Sequence, residues 1–280
     1  MTHLKIPEAP NSIQKGVPLK LILDQDAVTQ LATNLKFVYG EFDKQSFINE
    51  SLSEIDTLGI TERSKKIAKN LKKYLPNNYS EAINIILESL TPPLKSTENN
   101  GLAVLFYLPH VNYVAQYGLD KDYNNGRDPF EISMKAQFEL TKRFSSEFSI
   151  RSFIIAQPER TFAILYKWMD DPDPHVRRLC SEGTRPRLPW AQKISLLVQD
   201  PSPTFPILEK LKNDDDLYVR RSVANHVGDI AKDNLDMALK MCNDWLTNST
   251  KELNWVIRHA LRHPAKKGNE AALKLRKIAK

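Results

Sequence analysis

The chain is poor in glycine, with nine in 280 residues, and no Asn-Gly or Asp-Gly turn joins alternating apolar runs. A hairpin-rich β protein is thereby excluded, and helices become the default. Cysteine is scarcer still. Cys180 and Cys242 cannot build a disulfide framework, and two thiols so far apart cannot make a cysteine-based zinc site. No apolar run is long enough to span a bilayer, and the stretch from Met1 to Lys20 is polar and Pro-containing, without the apolar segment of a secretion signal. These absences predict a soluble protein of a reducing compartment, the cytoplasm, with no membrane partner.

Apolar residues make up 41% of the chain, enough for a packed core and too many for wholesale disorder. Lys plus Arg number 40 against 34 Asp plus Glu, and the resulting +6 is compatible with nucleic acid without establishing it. The distribution of the charge must decide. Pro7, Pro10 and Pro18 break any helix near the amino end, so residues 1–20 are expected as a loose tail and residues 21–280 as a single repeat domain.

From Leu21 onward helical periodicity takes over. Ile67, Leu71, Tyr74 and Leu75 recur at helical spacing among Lys65, Lys66, Lys69, Lys72 and Lys73, and Pro76 closes the segment. Those lysines are read as a solvated helix face, since a Schiff-base lysine needs a desolvating pocket. Ala82, Ile83, Ile86, Leu87 and Leu90 repeat the pattern, stopped by Pro92 and Pro93.

The second half carries an internal repeat. Asp171-Pro172-Asp173-Pro174-His175-Val176-Arg177-Arg178 is echoed by Asp214-Asp215-Asp216-Leu217-Tyr218-Val219-Arg220-Arg221, and then by Asn254-Trp255-Val256-Ile257-Arg258-His259. The valines are 43 and then 37 residues apart, near the period of roughly 40 to 47 of HEAT and armadillo repeats. The fold expected is therefore all-α, a HEAT-like α-α superhelix, in which stacked helix pairs bury what one pair cannot. In the middle repeat Val219, Val223, Val227 and Ile230 share the core face, leaving Arg221, Asn225 and Asp229 on a face free to work.

Alignment on the valines puts Arg178, Arg221 and Arg258 in one column, and Glu182, Asn225 and Arg262 in another a turn further on. Columns of guanidiniums can grip successive phosphates, each planar fork donating two hydrogen bonds to one anion. Arg177, Arg220, Arg185, Arg187, Lys266 and Lys267 add to this candidate DNA-binding set. The alternative is a structural ladder, an acidic turn paired with an inner arginine in each repeat. Glu182 and Asp229 would repel phosphates, so a surface that merely gripped DNA would do better without them, unless they are paired with Arg178 and Arg221. Trp190 follows a basic, turn-forming stretch that makes its exposure plausible. His259 and His263 lack the glutamate spacing of a metalloprotease, and no metal or other cofactor is expected.

At Cys180-Ser181-Glu182-Gly183-Thr184-Arg185-Pro186-Arg187-Leu188-Pro189-Trp190, at Val219-Arg220-Arg221-Ser222-Val223-Ala224-Asn225-His226-Val227-Gly228-Asp229-Ile230, and at Trp255-Val256-Ile257-Arg258-His259-Ala260-Leu261-Arg262, the chain resembles the AlkC branch of the AlkC/AlkD alkylpurine DNA glycosylases. The likeness extends through Thr141-Lys142-Arg143-Phe144-Ser145-Ser146-Glu147-Phe148-Ser149-Ile150-Arg151 and more weakly to about Leu21. The resemblance implies a HEAT-like solenoid that hydrolyses N3-methylated bases from double-stranded DNA as a monomer, without flipping the base into a pocket and without a metal. It implies Glu147, Glu182, Trp190 and Asp229 as the catalytic cleft, with Arg178 beside them. Some family members carry an immunoglobulin-like domain after the repeats; none is expected within these residues.

An N3-methylated adenine already leaves well because it is cationic. The remaining task is to stabilise an oxocarbenium-like sugar and place a water, work suited to a carboxylate. Two other readings stay open: a non-catalytic HEAT protein that clamps distorted or branched DNA, and a HEAT protein–protein adaptor.

Overall fold

The computed structural model describes residues 4–280. Every regular element among them is helical, as the glycine-poor, periodic sequence predicts. The chain divides into two compact units, the first ending at Ser149 and the second running from Ile150 to Lys280.

The first unit contains α1 (Gln25–Val38), α2 (Lys44–Leu52), α3 (Ile60–Tyr74), α4 (Tyr79–Glu88), α5 (Leu108–Tyr117) and α6 (Phe130–Thr141). Residues ahead of α1 form no α-helix, but they are tied down. Asn34 exchanges hydrogen bonds with Lys5, Leu102 N donates to Pro10 O, and a 3-10 turn covers Leu19–Leu23. Arg63 of α3, fully buried, holds that turn by donating to Lys20 O and Leu23 O at 3.2 and 3.1 Å. The α3 lysines lie on its outer side, where Lys73 pairs with Glu50 and Lys72 with Asp120.

The second unit contains α7 (Ile150–Ala156), α8 (Pro158–Trp168), α9 (Pro174–Gly183), α10 (Ser195–Gln199), α11 (Phe205–Leu211), α12 (Leu217–Asp233), α13 (Leu235–Trp245), α14 (Lys251–Ala260), α15 (Arg262–Lys266) and α16 (Glu270–Ile278). Here the repeat becomes architecture. Helices α9, α12 and α14 pack side by side in one row, with α8, α11 and α13 each packed on its row neighbour. Val176, Val219 and Val256, the residues that set the register, are all fully buried. The acidic turns act as caps: Asp173 accepts from His175 N and Asp216 from Tyr218 N, both at 2.8 Å. Threonine replaces aspartate in the third repeat, where Thr250 caps α14.

Close packing of α12 on α14 depends on Gly228, where an added Cβ would stand 3.2 Å from Ala260 O. The chain turns at Leu261, and Pro264 sits inside the short α15 rather than after a helix end. Both cysteines are buried in this unit and unpaired.

Candidate active site

Glu182 occupies the last turn of α9. Thr184 Oγ1 closes that turn by donating to Cys180 O at 2.6 Å. The Glu182 carboxylate is 5% exposed; Oε1 accepts from Arg185 Nη1 at 2.6 Å and lies 3.3 Å from Arg178 Nη2, while Oε2 accepts from Ser222 Oγ at 2.7 Å. Arg185 also reaches α12, donating from Nε to Asp229 Oδ2 at 2.7 Å. Lys232 Nζ donates to the other Asp229 oxygen at 2.7 Å. Two carboxylates are thus enclosed by Arg178, Arg185 and Lys232, leaving one positive charge in excess.

The electrostatics follow from this geometry. Burial alone would raise the Glu182 carboxyl, but Arg178, Arg185 and the Ser222 hydroxyl outweigh it and hold the group below the ordinary glutamate range. Glu182 is therefore a permanent anion at neutral pH. Arg185, which burial would discharge, is held charged by Glu182 and Asp229.

The face of α12 that the sequence left free is uneven. Arg221 is exposed and Asn225 half-buried, whereas Asp229 is only 2% exposed, with Arg185 laid against it from the loop after α9. Asn225 Oδ1 accepts from Arg262 Nη2 at 3.1 Å and lies 3.1 Å from His259 Nε2. Burial, with Arg262, Arg221 and His263 nearby, pushes the His259 imidazole down to about 4, so it is neutral at pH 7. The side chains of Arg221, Lys266 and Lys267 are exposed and make no hydrogen bond or ion pair to the described residues.

Four other arginines are engaged with partners inside the chain. Arg177 chelates Asp214 through two bonds of 2.6 and 2.9 Å and also caps Asp171 O and Pro172 O. Arg220 donates to Asp214 O, its equivalent in the next repeat. Arg258, aligned by sequence with Arg178 and Arg221, instead donates to Ala279 O and lines a surface hollow with Arg220. Arg187 pairs with Asp233.

The loop after α9 carries Trp190 at 83% exposure with φ of 62°, a left-handed backbone unusual for an aromatic residue. Strain and exposure together at a large aromatic mark a presented side chain. Glu147 belongs to the first unit, half-buried in the turn after α6, where Ser145 Oγ donates to its carboxylate at 2.8 Å.

Sequence reasoning missed Ser222 and Lys232. Lys232 had a local signal, three residues after Asp229 on one helix; Ser222 did not, because its partner lies 40 residues away. It also missed His226, buried against α9 with Nδ1 2.8 Å from Ser181 O and pushed by burial down to about 4.

No protein-family model matches the chain. Over 258 residues it is 37% identical to uncharacterized protein YhaZ of Bacillus subtilis (strain 168), a match spanning 92% of this chain and 67% of that protein. The fold matches the Pseudomonas fluorescens alkylpurine DNA glycosylase AlkC bound to DNA containing an abasic site analog with a TM-score of 0.81 and 34% identity, again over 92% of this chain and 67% of the other. Likeness in sequence and in fold over the same large share of the chain, together with the helical repeat that carries Glu182, places the protein in the AlkC family of alkylpurine DNA glycosylases.

Proposed function

We propose that the chain is a monofunctional DNA glycosylase that hydrolyses the N-glycosidic bond of alkylated bases in double-stranded DNA. N3-methyladenine is the foremost substrate and N3-methylcytosine a second, each removed without extrusion of the base into a pocket. The observation that carries this reading is the pair of buried carboxylates, Glu182 and Asp229, set among arginines beside a loop that presents Trp190.

In this reading Arg178, Arg185 and Lys232 have two tasks. They pair with both carboxylates and keep Glu182 negative in the free protein, and approaching phosphates then compete for them and leave the carboxylates directed at the sugar. A carboxylate about 4 Å from the developing cation contributes roughly 4 kcal/mol at an effective dielectric of about 20. That is close to a thousandfold in rate. Trp190 packs on the deoxyribose or on the cationic base. Arg221, Arg262, Lys266 and Lys267 hold the backbone, and Arg177, Arg220 and Arg258 keep the row of helices in shape while lending their charge to the surface. Glu147 enters on the family resemblance and is tested separately. The protein acts as a cytoplasmic monomer.

The test is base release from DNA methylated with dimethyl sulfate, the freed bases separated by chromatography. Wild-type protein should release N3-methyladenine, and Glu182→Gln should lose it by about a hundredfold or more. Undiminished release by both Glu182→Gln and Glu147→Gln would overturn the carboxylate assignment, and wild-type protein that releases no base would leave the DNA-clamping reading in its place.

A further inference from the structure

Arg151 has no part in the chemistry above, yet it lies in α7 at 1% exposure. Burial of a guanidinium is unfavourable unless its donors meet oxygens, and here they meet main-chain carbonyls. Nε donates to Gln192 O at 2.5 Å, Nη1 to Gly183 O at 3.1 Å and Arg185 O at 2.7 Å, and Nη2 to Pro186 O at 3.4 Å. All four carbonyls belong to the stretch 183–192. Gly183, Arg185 and Pro186 lie on its outgoing limb, Gln192 on its returning one, and Trp190 near the tip between them.

Arg185 and Arg187 anchor the outgoing limb through Glu182, Asp229 and Asp233, but few main-chain bonds join the two limbs to each other. Ile194 N donates to Pro186 O at 3.2 Å and Ala191 N to Leu188 O at 3.3 Å, while Pro186 and Pro189 have no N–H to offer. Gly183 O is among the carbonyls that a helix leaves unpaired in its final turn, so the cation also faces the negative end of α9. Leu188 is buried, and Trp190 two residues on is exposed and left-handed. A side chain that served only the core would have no reason to tie both limbs of one loop whose tip is exposed.

We infer that Arg151 is a positioning residue, a buried fork that binds the two limbs of the Gly183–Gln192 loop and so fixes where Trp190 stands relative to Glu182 and Arg185. Its catalytic consequence rests on the glycosylase reading; its grip on the loop does not. Lysine, a compact charge with tetrahedral donors, cannot span both limbs, so keeping the charge does not keep the function.

The experiment uses the full chain as Arg151→Lys and Arg151→Ala. Circular dichroism first establishes that each variant retains its helices. Amide exchange across residues 187–192 is expected to speed up by about tenfold or more in both, with α12 and α14 unchanged. On dimethyl sulfate-treated DNA, kcat for N3-methyladenine release should fall about a hundredfold, as for a misplaced reacting geometry. KM should move by less than about threefold. Methylguanidinium added to Arg151→Ala should slow loop exchange and restore turnover. Wild-type exchange in the loop of folded variants would overturn the inference. If Arg151→Ala does not fold, Arg151→Lys carries the exchange test alone. Wild-type protein that releases no base would defeat the glycosylase reading, while loop exchange would still decide the role of Arg151.

Discussion

Arg185 links two buried carboxylates from different elements, so its removal should be more damaging than the removal of either acid. Without it Glu182 retains Arg178, but Asp229 has only the half-exposed Lys232. Breaking a buried charge network by deleting one member costs about 3 to 5 kcal/mol. Arg185→Met should therefore lower the urea midpoint by that equivalent, whereas Glu182→Gln, which preserves an acceptor for Ser222, should lower it less. The pH dependence of the acid has a definite sign. Because the folded-state value of Glu182 lies below its unfolded one, its contribution to stability is complete above the ordinary glutamate value and disappears as pH falls through the folded value. Glu182 should thus impose no acidic limb on base release between pH 5 and 8, the window above ordinary glutamate titration. A rate that fell with a midpoint in that window would assign the titration to a group other than Glu182.

His226 tells the opposite story at the junction of α9 and α12. Its imidazole is neutral and buried, with a folded value near 4 against an ordinary 6.5. Between those limits the unfolded chain binds the extra proton, so stability falls as pH drops from 6.5 towards 4. The wild-type urea midpoint should decline across this window, and His226→Asn should flatten the decline. The row of helices makes a second demand at Gly228. A side chain there meets the Ala260 main chain, which cannot swing aside as a lysine tip can. Gly228→Val should destabilise by about 1 to 3 kcal/mol, read as a lowered thermal midpoint.

Much at this scale was legible in advance. The valine register and the aspartate turns are local patterns, and each appears as a buried face or a helix cap. What escaped the sequence is long-range. Arg63 and Arg151 look like surface residues in one dimension, and they become interior clamps only because main-chain carbonyls from 5 to 43 residues away converge on them. The exposure of Trp190 was suggested by its neighbours. Its left-handed backbone was not, since that depends on how the loop is pinned.

Over the whole molecule the +6 charge is less informative than where it is free. Arg177 is absorbed by Asp214, whereas Arg221, Lys266 and Lys267 stand in solvent. Affinity for duplex DNA should fall steeply with salt, and each phosphate contact contributes about 0.9 to the slope of log K against log salt. Replacing Arg221, Lys266 or Lys267 by Ala should each reduce that slope by about one. Arg177→Ala should leave the slope in place while lowering the thermal midpoint, which separates phosphate grip from scaffold within one titration series.

The two cysteines carry a last consequence. Both thiols are enclosed, and burial pushes each up, that of Cys242 to about 12, so neither offers a thiolate at neutral pH. Sulfur anions are the protein groups that electrophilic methyl donors attack most readily. A DNA glycosylase of the alkylpurine family thus keeps its own softest nucleophiles out of reach of methylating agents, and both cysteines should remain unmodified under doses that scar duplex DNA beside it.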